Sequence, residues 1–176
     1  MLSRLGLAFE VRPSHIPEEH PPGPPAQALA AVALAKARAV AGQLPADSAA
    51  VVLGADTEVV LGGVFLGKPR DEADALRMLR ALRGREHEVI TAIALVAPGS
   101  GGREETAAVA TRVTMNDYTD LEIEAYVATG EPLDKAGAYA VQGLGGRLVA
   151  RVDGCFTNVV GLPLSTTRRM LARWGI

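Results

Sequence analysis

The sequence predicts a layered α/β domain, and three observations carry that prediction. Apolar runs rich in Val, Ile and Thr alternate with helix-favouring segments rich in Ala, Leu, Glu and Arg. Gly and Pro clusters punctuate them, and several runs stand close enough across short turns to pair as antiparallel neighbours, so the sheet is not purely doubly wound. The 176 residues, 48% hydrophobic and 22% charged, suffice for a single domain spanning 1–176 whose core needs no metal or disulfide staple.

Each element follows from local chemistry. "LAFEV" (7–11) reads as a short strand, and "SHIPEEHPPGPP" (14–25) as an irregular loop, because its prolines fix φ and remove donors. Ala26 to Gln43 has no internal proline and predicts a helix closed near Gly42 and Pro45. "AAVVLGA" (49–55) is a buried strand, and "TEVVL" (57–61) and "VFL" (64–66) flank Gly62-Gly63, which suits a two-residue hairpin. Asp71 can cap a helix running to about Arg83, with Gly84 at its end. "HEVITAIALVA" (87–97) and "EETAAVATRVTM" (104–115) are two long strands joined by the glycine-rich turn Pro98 to Gly102. Thr119 with Glu122 forms a capping box for a helix ending near Gly130. "RLVARV" (147–152) supplies one more strand and Pro163 to Trp174 a closing helix, whose Met170, Leu171 and Trp174 share a core-facing side.

Composition narrows the partners. A net charge of −2 argues against a nucleic-acid surface, which normally needs a basic face. No apolar run reaches membrane-spanning length, and "MLSRLGLAFEV" lacks the features of a signal peptide. A lone Cys155 fits a reducing compartment. A cytoplasmic protein acting on small molecules is the expectation.

Three stretches carry chemistry. "LGGVFLGKPRD" (61–71) approaches the pattern G-x-x-x-x-G-K-[ST], but Pro69 stands where the hydroxyl belongs and offers neither a metal ligand nor an N–H. The glycines are better explained by the hairpin. Lys68, held between Gly67 and Pro69, is either a rim lysine of a turn or a fixed cation. "VVLGADTEVV" drives an apolar strand into Asp56, and an acid at a buried strand end requires a cation, a donor or a catalytic task. The alternative there is an Asp capping a turn bent at Gly54. Glu58, if the strand continues, shares a face with Asp56, either pairing with it around a metal or facing solvent. "TGEPLDKAGAYAVQG" (129–143) sets Glu131, Asp134, Lys135 and Gln142 among small residues, as loops holding polar ligands do. A solvated loop with an Asp-Lys pair is the plainer reading. Cys155 and the histidines 15, 20 and 87 show no spacing of a cysteine hydrolase or zinc site.

Together "GADT", "LGKPRD", "TGEPLDKAGAYAVQG" and "NVVGLPL" resemble the Maf family of nucleoside triphosphate pyrophosphatases, across essentially all 176 residues. The resemblance implies an elongated mixed β-sheet flanked by helices, related to the inosine triphosphate pyrophosphatases, and a homodimer. It implies hydrolysis of a nucleoside triphosphate to the monophosphate and pyrophosphate, with a divalent cation such as magnesium, manganese or cobalt. Asp56 matches the catalytic carboxylate, Lys36 and Lys68 match lysines that hold phosphates, and Asp134 and Lys135 lie in the matching substrate loop. Glu18, with Asp56, matches the metal-associated acids, although Pro17 replaces the family's Asp. Thr57 and Gln142 resemble the branch acting on dTTP and UTP; the branch favouring 7-methyl-GTP has Gln and Glu there. The family's opening strand and its S-x-S-P-R-R loop have no counterpart ahead of "MLSRLGLAFEV". That departure leads to the expectation of a start upstream of Met1 or of an N-terminally short, weakly active chain. Two further expectations follow: a nucleotide-binding or septum-related regulator on the same fold, or a purine house-cleaning enzyme of the sister family.

Overall fold

The fold, obtained as a computed structural model, describes residues 1–99 and 102–176. Helix α1 (Pro25–Ala41) opens on a proline at its first turn and buries Ala28, Leu29, Val32, Ala33, Ala37, Val40 and Ala41 along one side. Strand β1 (Val52–Leu61) joins the two expected strands into one, and Gly62 and Gly63, at φ 59° and 83°, turn it into β2 (Val64–Phe65). Both turn residues need positive φ, which glycine adopts without cost. Asp71 caps α2 (Glu72–Leu82) by accepting from the Asp74 N–H at 2.8 Å. Strands β3 (Glu86–Val96) and β4 (Glu104–Met115) follow. The middle of their connecting turn, Ser100 and Gly101, lies outside the described residues. On its flanks the Ala97 N–H donates to Arg103 O at 2.9 Å.

The capping box at Thr119 is present, with both reciprocal bonds to Glu122, and starts α3 (Asp120–Val127). Strand β5 (Val149–Asp153), the single turn α4 (Phe156–Val159) and α5 (Leu164–Arg173) complete the chain. The strands form one five-stranded antiparallel sheet in the order β2-β1-β3-β4-β5, with Val60 opposite Phe65 and Val113 opposite Val152. The α/β expectation therefore holds. The strand expected at "LAFEV" does not form: residues 7–24 carry no regular structure, and Phe9 and Val11 are exposed. A strand exists only through its ladder, and this segment runs straight into five prolines that cannot donate to one.

The chain forms two compact units. The first comprises residues 1–56, 91–109 and 161–176; the second, residues 57–90 and 110–160. In the first, Ile93, Leu95, Leu162, Met170 and Leu171 make a core against which Trp174 packs. In the second, a larger core gathers Met78, Leu79, Leu82, Val89, Val113, Met115, Ile123 and Tyr139.

His87, read only as a histidine without a site, lies inside that second core. It is 3% exposed, its Nε2 is 2.8 Å from the Tyr139 hydroxyl, and its Nδ1 has no hydrogen-bond partner. Burial pushes its pKa down to about 4. The unfolded chain, with an ordinary histidine, therefore binds more protons between pH 6.5 and 4, and stability falls as pH drops through that window. The fall expected from this residue is about 3 kcal/mol. Urea unfolding of the parent and His87→Gln between pH 7.5 and 4 checks it; equal pH slopes for the two proteins would show that His87 is not responsible.

Candidate active site

Asp56 is the least exposed acid of β1, and its burial follows from the strand's packing on α1. Gly54, two residues earlier, lies within the continuous strand rather than at a bend, so the turn-capping alternative for Asp56 is set aside. Its missing side chain lets the helix approach: a Cβ there would sit 2.5 Å from Ala33 O and 3.0 Å from Ala37 N. That approach brings Lys36, on the same side of α1, to Asp56. Lys36 Nζ donates to Asp56 Oδ1 at 2.7 Å and to Glu18 Oε1 at 2.6 Å. Glu18 comes from the proline-rich loop, and so does His20, whose Nε2 lies 3.0 Å from Asp56 Oδ2. All four side chains belong to the first unit.

The electrostatics of this cluster are those of a held cation. Burial pulls the Lys36 pKa down, but hydrogen bonds and charge from Asp56 and Glu18 outweigh it, so its pKa lies above the ordinary lysine value. Lys36 stays an ammonium. Two carboxylates converging on one cation also fit a divalent ion of the kind that enzymes hold with one or two acids plus substrate phosphates. Among the described residues no group of three or more His, Cys, Asp or Glu is placed to hold a metal ion.

The remaining sequence-derived candidates lie in the second unit. Lys68 is exposed on the turn after β2, where the Gly67 N–H donates to Glu58 Oε2 at 3.2 Å and Gly67 O accepts from the Gly137 N–H at 2.8 Å. That bond ties "LGKP" to "DKAGAY". Lys135 pairs with Asp134, and Lys68 adds a smaller electrostatic pull on that same carboxyl, which lies below its ordinary range. Glu131 organises the loop beyond: its carboxylate accepts from the Tyr126 hydroxyl at 2.9 Å and from the N–H groups of Leu144 and Gly145 at 3.0 and 3.1 Å. Between these anchors Gln142 is exposed on a turn. Thr57 follows Asp56 in β1, and strand alternation points successive side chains to opposite faces.

His20 is the residue that sequence reasoning missed. A histidine in a proline-rich loop has no periodicity, and only its position two residues after Glu18 hinted at the site. Cys155 is half-buried, with its Sγ 3.3 Å from the Thr157 hydroxyl. Among the described residues no helix is long and apolar enough to cross a membrane.

The family described as "Maf-like protein" matches residues 1–174. Among the similar relatives, a protein of Anaeromyxobacter dehalogenans is 54% identical over 99% of this chain and 88% of its own length. One of Moorella thermoacetica is 52% identical, covering 100% and 89%, and one of Koribacter versatilis is 45% identical, also covering 100% and 89%. All three bear the name dTTP/UTP pyrophosphatase.

Proposed function

This chain belongs to the Maf family, and from that premise we propose that it hydrolyses dTTP and UTP, and modified pyrimidine nucleotides of the same shape, to the monophosphate and pyrophosphate. The observation that carries this reading is the buried Asp56 carboxylate held against the Lys36 ammonium and, through it, Glu18. Nucleotide binding requires cations; a carboxylate sunk beside them opposes the phosphates, and the charge is useful only if it takes a proton or a metal.

Asp56 takes the proton of the attacking water as the new P–O bond forms and the bond between the α and β phosphates breaks. A base placed in this way contributes about 10²–10⁴-fold. Lys36, released in part from its carboxylates, stabilises negative charge growing on the phosphoryl oxygens. Glu18 and Asp56 are assigned to the divalent cation, magnesium, manganese or cobalt, which when bound neutralises phosphate charge and favours departure of pyrophosphate. Lys68, Asp134 and Lys135 are assigned to the triphosphate and sugar. Thr57 and Gln142 are assigned to the base, since a glutamine amide offers the acceptor and donors that a pyrimidine carbonyl and N–H require. A cytoplasmic homodimer acting on free nucleotides completes the reading.

Pyrophosphate release from dTTP, UTP, CTP, GTP, 7-methyl-GTP and ITP, with magnesium or manganese, tests it. The expected result is turnover of dTTP and UTP at least about tenfold above the purine nucleotides, the scale of one matched polar contact. Preference for ITP or GTP would overturn the roles given to Thr57 and Gln142.

A further inference from the structure

We infer that His20 is a positioning residue for Asp56, fixing the orientation of the proton-accepting carboxylate; this rests on the pyrophosphatase reading and extends it to a residue outside the family motifs. The loop that carries His20 is mostly bathed in solvent. Glu19, Pro21, Pro22 and Gly23 are exposed, and even the Glu18 side chain is 49% accessible. The His20 side chain turns inward to 16% and meets a carboxylate that is only 6% accessible.

The contact is directional. An ionised carboxylate is an acceptor only, so His20 donates through an Nε2–H to Asp56 Oδ2 at 3.0 Å. Lys36 holds the other oxygen, Oδ1, at 2.7 Å. With a donor on each oxygen, approaching from the loop on one side and from α1 on the other, the carboxylate cannot rotate about its Cβ–Cγ bond without losing both. A base that must meet a water lone pair and proton in one geometry gains rate from such restraint. Partners that orient a reactive group in this way are worth about 10–100-fold.

The test compares His20→Leu, His20→Gln and His20→Asn for dTTP turnover, with Asp56→Asn alongside and melting temperatures for all. Glutamine can place an amide N–H where Nε2 stands, whereas asparagine reaches only as far as Nδ1. The expected result is kcat lowered about 10–100-fold in His20→Leu with KM within about threefold, recovery in His20→Gln, and none in His20→Asn. Loop packing alone would not separate the two amides. His20→Leu turning over like the parent while Asp56→Asn is inactive would overturn the inference alone, as would a His20→Gln variant no better than leucine. A parent chain silent on every nucleotide would overturn the pyrophosphatase reading and this inference with it.

Discussion

Asp56→Asn is expected to release pyrophosphate from dTTP and UTP at least about 10²-fold more slowly than the parent, with nucleotide binding largely retained. The amide is nearly isosteric, so the strand and its packing on α1 persist. Its chemistry is not. An amide carries no charge and accepts no proton at neutral pH. It also presents an NH₂ group to one of two neighbours that donate, the Lys36 ammonium or His20 Nε2–H. The Lys36 ammonium then keeps Glu18 as its remaining acid partner in the cluster. Steady-state kinetics, together with a titration of a non-hydrolysable dTTP analogue, separates the effects: kcat falls while the analogue still binds. A variant within tenfold of the parent would remove Asp56 from the chemistry and favour a nucleotide-binding regulator on the same fold.

The second large effect is expected from Gly54→Ala. Only a methyl group is added, yet its nearest neighbours are backbone, the Ala33 carbonyl oxygen at 2.5 Å and the Ala37 N at 3.0 Å, with Ala37 Cβ also at 3.0 Å. Backbone cannot swing aside as a side chain can, so α1 must shift away from β1. Overpacking of this kind costs about 1–3 kcal/mol, which for a chain of this size lowers Tm by roughly 3–10 °C. The same shift carries Lys36 away from Asp56, so dTTP turnover should fall further than the unfolded fraction explains. Differential scanning calorimetry paired with kinetics measured well below Tm checks both parts. A variant that melts and turns over like the parent would show that the helix yields at no cost, and that the close approach does not set the geometry of the site.

Where an element depends on neighbours in sequence, it was legible. Thr119 and Glu122 satisfy each other's backbone within four residues, Asp71 caps its own helix, and Gly62-Gly63 closes its own hairpin. "LAFEV" failed for the opposite reason: alternation permits a strand, but a ladder needs a partner that local pattern does not supply. Gly54 shows the same limit from another side, since a glycine inside an apolar run reads as a bend and here serves a helix contact.

By itself the sequence determined the α/β alternation, the caps of α2 and α3, the Gly62-Gly63 turn and the interest of Asp56 at the end of an apolar run, because propensity, caps and turns act over a few residues. Lys36 and Glu18 were reached only through the resemblance to the Maf family. Only the tertiary structure decided that Asp56, Lys36 and Glu18 meet, that His20 joins them, and that His87 is sealed in a core. Residues 36 apart in sequence, as His20 and Asp56 are, come together through packing whose distances no local pattern encodes. The energies that hold them there, burial of a carboxylate against an ammonium and of an imidazole against a hydroxyl, exist only once solvent has been excluded.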